Sequence, residues 1–241
     1  MIRVPDKAFL LAAGLGTRLR PHTDTMPKPM VPVAGRPILA RALDKLAAVG
    51  VQDAWINLHY LPDIIKNGLY APDSLKIHYS FEETLLDTGG GVKKCLPQMG
   101  NEPFYMINGD SLWTNGPENA LVRLANAFDP AAHDLMLLLQ PLHTMILTGA
   151  TGDYDIIGGK PRRNHEKGGQ YAFNGIRLLH PQLFDYEQAL PDKFSFLALM
   201  DEAEKRGRLG YLIHDGDWHH ISTPADLAAV DAALGAAGKA V

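Results

Sequence analysis

The groups in this chain that can act on a phosphate fall in a few short stretches. Gly14 and Gly16 flank one residue and lead into Thr17, Arg18 and Arg20. Backbone N–H groups of such a loop can cradle a polyphosphate, and Arg18 can neutralise non-bridging oxygens where charge grows in a transition state. Lys28 stands between Pro27 and Pro29, whose rings fix the backbone and so aim the lysine. Asn108-Gly109-Asp110 closes an apolar run, and a carboxylate there can bind Mg²⁺, a hard ion that prefers oxygen and bridges phosphates. Together these groups suit transfer at phosphorus, driven by positioning and charge neutralisation.

The glycine pair alone also fits an ordinary strand-to-helix turn. A dinucleotide-binding loop needs Gly-x-Gly-x-x-Gly running into a helix. Here Leu19 holds the third glycine position, and Pro21 and Pro27 follow, which argues against a nicotinamide-dependent dehydrogenase. The Gly-Lys-Ser/Thr of a kinase-type phosphate loop is absent.

The elements that must position these groups alternate. Strands are expected at 8–13, 54–58, 76–81, 104–108 and 134–140, and helices at 37–49, 62–69, 89–96 and 118–128. The helix at 89–96 is expected to open after a Gly89-Gly90-Gly91 turn. Segment 18–35 is expected to be extended, because Pro21, Pro27, Pro29 and Pro32 lie in it. Alternation of this kind implies an α/β fold, a Rossmann-like doubly wound, mostly parallel mixed sheet flanked by helices. Ligands of such sheets sit beyond the C-terminal ends of strands, so the loops after the first and fourth strands are the informative ones. Later come a strand and turn at 154–160, strands at 171–179 and 210–214 and a helix at 196–206. A terminal helix starts at Thr223-Pro224-Ala225-Asp226, with Thr as cap and Pro at the first helical position. We read residues 1–241 as a single domain: 1–140 the nucleotide-binding part, 141–223 a sugar-binding part and 224–241 the C-terminal helix.

The 241 residues are 46% hydrophobic and 21% charged, ordinary globular composition. A net charge of -4 gives no global field favouring nucleic acid or an anionic membrane, so neither is expected as a partner. Cys95 is the only cysteine, which excludes an intrachain disulfide and a four-cysteine zinc site. No stretch approaches the ~18 apolar residues of a membrane span. The expected location is cytoplasmic. The oligomeric state stays open, since no exposed apolar stripe decides it.

Leu11 to Pro21, followed by Pro27 to Ile38 with its Pro-Lys-Pro core, resembles the signature of the sugar-1-phosphate nucleotidyltransferases. The likeness extends to Leu86-Asp87-Thr88-Gly89-Gly90-Gly91, to Asn108-Gly109-Asp110 and to Trp218 through Thr223-Pro224. Among its branches the chain most resembles the N-acetylmuramate 1-phosphate uridylyltransferases. Mannose-1-phosphate guanylyltransferases share much of the pattern.

The resemblance implies a nucleoside triphosphate and a sugar 1-phosphate as substrates. Arg18 and Lys28 would be catalytic, with Ala13, Gly14, Gly16 and Thr17 also on the nucleotide. Glu82, Glu83, Thr88 and Gly89 would surround the base. Asn108, Asp153, Asn174 and Gly175 would contact the sugar. Asp110 would hold Mg²⁺, or Mn²⁺. The family's second metal carboxylate follows the late Trp by two residues, and here that position is His220. Imidazole suits softer metals than Mg²⁺. Asp215 and Asp217 differ from 220 by odd offsets, so on a strand they face away. His220 thus leaves open an unusual metal site, a Mn²⁺ preference or an impaired, regulatory protein. The basic run Lys160, Arg162, Arg163, His165 and Lys167 fits a mobile phosphate-attracting loop or plain solvated charge.

Overall fold

The computed structural model describes residues 4–186 and 190–237. Within the terminal segment 224–241, residues 238–241 lie outside that range. The first strand, β1 (Lys7–Leu11), runs into a loop with two short 3-10 turns, Thr17–Leu19 and Lys28–Met30. A small hairpin follows, β2 (Pro32–Val33) with β3 (Arg36–Pro37), and then helix α1 (Ile38–Ala48). Segment 18–35 is therefore tightly turned at both ends rather than extended throughout. Its prolines sit at turn positions, where a fixed φ and a missing N–H cost little.

Next come β4 (Asp53–Leu58), α2 (Pro62–Gly68), β5 (Lys76–Phe81), α3 (Asp87–Met99), β6 (Phe104–Asn108), β7 (Leu112–Trp113) and α4 (Ala120–Ala127). The second half holds β8 (Leu135–Pro141), β9 (Tyr154–Ile157), β10 (Lys160–Arg163), β11 (Tyr171–Leu179), α5 (Leu197–Lys205), β12 (Leu209–Ile213), β13 (Trp218–His219) and α6 (Pro224–Ala237). The central sheet runs β10-β9-β11-β6-β1-β4-β5, with β8 beside β11 and β12 beside β8. β6, β1, β4 and β5 are parallel, whereas β11 is antiparallel to both β6 and β8.

Alternation along β1 divides the core. Ala8 and Leu10 point to the side covered by α1 and α4, where Leu39, Leu43, Leu121 and Leu124 are fully buried. Phe9 points to the other side, against Val92 and Cys95 of α3 and Met200 of α5. Burial of each such side chain stabilises by about 1.5–3 kcal/mol. A third cluster packs Leu227 and Val230 of α6 on Leu19, Val31 and Ile38. The last helix thereby braces the loop that follows the first strand.

Two further expectations need correction. Gly89, Gly90 and Gly91 lie inside α3, which starts at Asp87, and do not form a turn before it. They are packing glycines. A Cβ on Gly90 would lie 2.0 Å from the Asp192 carbonyl oxygen, and one on Gly91 would lie 2.7 Å from Asn57 and Glu82 atoms. The basic run is no loose loop either. Lys160, Arg162 and Arg163 form β10, and Arg163 Nη1 donates to Asp201 at 2.5 Å. Among the described residues no helix is long and apolar enough to cross a membrane.

Candidate active site

A cleft of about 630 Å³ opens beyond the C-terminal ends of β1 and β6. Its floor is the loop after β1. Among the described residues, the backbone N–H groups of Ala13, Gly14, Leu15, Gly16, Thr17 and Arg18 donate to no protein acceptor. All six of these residues line the cleft. A run of free amides on a loop is an anion-binding concavity. Gly16 holds the turn with φ +62, and a Cβ there would meet Lys28 Cβ at 2.9 Å. Only glycine permits both that backbone and that approach.

The loop is held from behind by a buried chain of hydrogen bonds. Ala12 N donates to Asn57 Oδ1 at 2.7 Å, and Asn57 Nδ2 donates to Glu82 Oε1 at 2.8 Å. Glu82 Oε2 accepts from Leu86 N at 2.9 Å, just before α3. Glu82 is 1% exposed. It is a strut between the loop after β1 and α3, so the expectation that it meets a base is corrected. Glu83 is exposed and outside the cleft wall. Thr88 lines the cleft while its Oγ1 accepts from Phe196 N at 2.9 Å. The Gly89 amide donates to Phe194 O at 2.9 Å, and the Phe194 ring covers that glycine, which is absent from the wall.

Four of the expected groups converge. Lys28 is 9% exposed, and its Nζ donates to Asp110 Oδ2 at 2.6 Å. Arg18 projects from the loop, exposed at the mouth. β13 pairs antiparallel with β7, His219 opposite Leu112, so the next residue, His220, falls level with Ser111 beside Asp110. Burial lowers the His220 imidazole pKa, and the charges of Lys28 and Arg18 lower it further against the pull of Asp110. A lowered pKa favours the neutral ring, in which one nitrogen is an acceptor. Asp215 pairs with Arg123, away from the cleft. Asp226, whose charge also acts on His220, is occupied as a helix cap, accepting from Ser222 N at 2.9 Å and Thr223 N at 2.8 Å.

The expected sugar contacts are only partly gathered. Asn108 lines the cleft. Gly175 packs directly behind Asn108. Asn174 is fully buried, with Oδ1 accepting from Ile176 N at 3.1 Å. Asp153 is engaged by Lys167 Nζ at 2.6 Å and Phe173 N at 2.9 Å, and neither Asp153 nor Asn174 reaches the wall. Protein partners hold these side chains, for Asp153 a lysine and an amide distant in sequence, which spacing along the chain cannot reveal.

Lys193 is a wall residue that no motif announced. Its segment is tied down on both sides. Lys93 Nζ donates to Leu190 O at 2.6 Å, Phe194 N donates to Leu86 O at 3.2 Å, and α3 returns the Gly89 bond to Phe194. Asn57 left a readable trace, since it is the one amide in the apolar strand Trp55-Ile56-Asn57-Leu58.

A family model described as nucleotidyl transferase matches residues 7–141, which carry Arg18, Lys28 and Asp110. The chain belongs to the nucleotidyl transferase family. It is 32% identical to the N-acetylmuramate alpha-1-phosphate uridylyltransferase of Caulobacter vibrioides, over 97% of this chain and 99% of that one. It is 28% identical to the D-glycero-alpha-D-manno-heptose 1-phosphate guanylyltransferase of Campylobacter jejuni, over 91% and 96% of the two chains. Among solved structures, UDP-glucose pyrophosphorylase from Acinetobacter baumanii superposes with a TM-score of 0.80 at 15% identity, covering 100% of this chain and 98% of that one. This family's reaction is nucleotidyl transfer, and the cleft of this nucleotidyltransferase presents free amides and basic side chains.

Proposed function

We propose that this nucleotidyltransferase couples the uridylyl group of UTP to N-acetylmuramate 1-phosphate, giving the UDP-sugar and pyrophosphate. The run of six free amides converging with Arg18, Lys28 and Asp110 carries the nucleotidyl-transfer part of this reading. The near full-length likeness to the Caulobacter uridylyltransferase supports the base and the sugar.

An oxygen of the sugar phosphate attacks the α-phosphorus. The bond from that phosphorus to the bridging oxygen breaks, and pyrophosphate leaves with the electron pair. The attacking phosphate is already an anion, so no general base is needed. The amides of the loop bind the triphosphate, and Arg18 meets its β- and γ-phosphates. Lys28 bridges the α-phosphate and the incoming phosphate, and stabilises the charge that builds between them. Asn108 is placed for the sugar phosphate.

The donor set also fits a divalent cation shared with the substrates. Among the described residues no three His, Cys, Asp or Glu side chains form a metal cluster. Asp110 supplies one carboxylate and the neutral His220 stands beside it. That suits an ion that takes its remaining ligands from phosphates and water. Mg²⁺, or Mn²⁺ if His220 ligates, would neutralise phosphate charge there.

Guanylyl transfer is the second reading, on the likeness to the Campylobacter guanylyltransferase. A thermal-shift series with UTP, GTP, CTP and dTTP in Mg²⁺ separates the two, because a ligand that binds only the folded chain raises its Tm. The largest shift is expected with UTP. A larger one with GTP would select the second reading.

A further inference from the structure

β11 carries a cation that the phosphate chemistry does not use. Arg177 is 3% exposed, and among the described residues no carboxylate pairs with it. Its guanidinium carbon lies 4.9 Å from the centre of the Phe173 ring and 4.8 Å from that of Phe196. Nε is buried without an acceptor. Burial draws its pKa down to about 9, so it still carries its charge at pH 7. A buried cation without a counter-ion opposes folding.

One strong contact remains to it. Nη2 donates to Asn108 Oδ1 at 2.6 Å. A guanidinium has donors only, so the carboxamide must turn its oxygen towards Arg177 and its NH₂ the other way. Asn108 sits at the end of β6 in the wall of the cleft. Gly175, at φ +84, leaves room for that amide, because a Cβ there would come within 2.9 Å of Asn108 Nδ2. Among the described residues Nδ2 has no acceptor.

We propose that Arg177 is a positioning residue that locks the Asn108 carboxamide with its NH₂ facing the sugar-phosphate side of the cleft, an inference that rests on the proposed nucleotidyl transfer to a sugar 1-phosphate. The substrate then meets a fixed donor instead of an amide free to flip. A donor suits a phosphate or hydroxyl oxygen, whereas the flipped carbonyl would repel a phosphate. The cost of keeping Arg177 buried and unpaired is the cost of that orientation.

The test is a double-mutant cycle with Arg177→Met, Asn108→Ala and both together, using UTP and N-acetylmuramate 1-phosphate. Each single variant is expected to lower kcat/KM by about tenfold to a hundredfold, with KM rising for the sugar phosphate and staying within about twofold for UTP. The double variant is expected to fall no further than Asn108→Ala alone, and Arg177→Lys, which keeps a cationic donor group, to recover most of the loss. Additive losses, or a wild-type kcat/KM in Arg177→Met, would overturn the proposal. Asn108→Asp guards against a folding failure. It keeps an acceptor for Arg177 but offers the cleft no donor, and wild-type activity in it would also overturn the proposal. A readout independent of turnover is the NMR relaxation of the Asn108 side-chain NH₂ in the unliganded protein. It is expected to be rigid in wild type and in Arg177→Lys and mobile in Arg177→Met, and an equally rigid amide in Arg177→Met contradicts the lock. If wild type turns over neither substrate, the proposed function fails while this measurement still decides the lock.

Discussion

Lys28 Nζ lies 2.6 Å from Asp110 Oδ2, across 82 positions of sequence. The pair joins the loop after β1 to the end of β6, the two places where an open parallel sheet receives a ligand. Lys28 is nearly buried while Asp110 is half-exposed, so the lysine is aimed at the cleft and does not wander on the surface. Lys28→Met is expected to lower kcat by about a hundredfold to a thousandfold, as loss of a transition-state charge partner does. Its effect on stability should stay within about 1 kcal/mol, since one partner is solvated. Steady-state kinetics and urea denaturation on the same sample check both halves.

Glu82 supports the loop after β1 from behind. Glu82→Ala strands the buried donors Asn57 Nδ2 and Leu86 N. A loss of about 2–4 kcal/mol is expected, together with a raised KM for the triphosphate, because Asn57 also orients the Ala12 amide. Urea denaturation gives the first number. A loss under about 1 kcal/mol would show that the strut is not needed.

α3 and the segment carrying Lys193 are fitted backbone to backbone. In Gly90→Ala the new Cβ would lie 2.0 Å from the Asp192 carbonyl oxygen, which no rotamer change relieves. The segment must move, at about 1–3 kcal/mol, and carry Lys193 off the wall. A lower Tm with raised KM values is expected. Gly14→Ala, where nothing lies within 4 Å of the new Cβ, serves as the steric contrast in Tm.

Acid should destabilise the protein in two steps. Burial lowers the pKa of His214, against the pull of the Asp217 carbonyl. The unfolded chain therefore binds the proton first, and stability falls as pH drops below about 6.5. Burial alone would raise Asp134, yet hydrogen bonds from Arg208 at 2.6 Å, with Tyr186 and Gln182, hold its carboxyl below the usual range. Its contribution is present above about pH 4 and lost as pH falls through the lower folded value. In His214→Asn the slope of stability between pH 6.5 and 5 should flatten while the lower step remains. Urea midpoints across pH check this, and an unchanged upper slope would count against it.

The sequence carried the sheet and the glycine loop well, because both are written locally. Ala8 to Ala13 is continuously apolar, and the glycines, Arg18 and the Pro27-Lys28-Pro29 clamp lie within a few turns of each other. That the Asp110 loop lies near the loop after β1 followed from where strands end in such a fold, whereas the Lys28–Asp110 contact itself was not read from the sequence. What spacing missed was set by packing between distant segments. Gly89 to Gly91 read as a turn because glycine usually breaks helices. They are helical because residues 192–194 lie against them. Glu82 read as a ligand because it is charged, while its partners Asn57 and Leu86 lie on other elements. Asp153 was legible as a carboxylate, but not its capture by Lys167.

His220 is the remaining departure from the family pattern. If it faces the metal as the neighbouring charges of Lys28 and Asp110 imply, His220→Asp is expected to shift the ratio of Mg²⁺- to Mn²⁺-supported turnover towards Mg²⁺. Equal ratios in the two proteins would remove the imidazole from the metal site.

Pyrophosphate release tests the central claim most directly. The chain is assayed with Mg²⁺ against UTP and GTP, each paired with N-acetylmuramate 1-phosphate, mannose 1-phosphate and heptose 1-phosphate. The highest kcat/KM is expected for UTP with N-acetylmuramate 1-phosphate, with almost none in Lys28→Met. Faster release from any GTP pair would contradict the proposed substrates, and no release from any pair would contradict nucleotidyl transfer by this cleft.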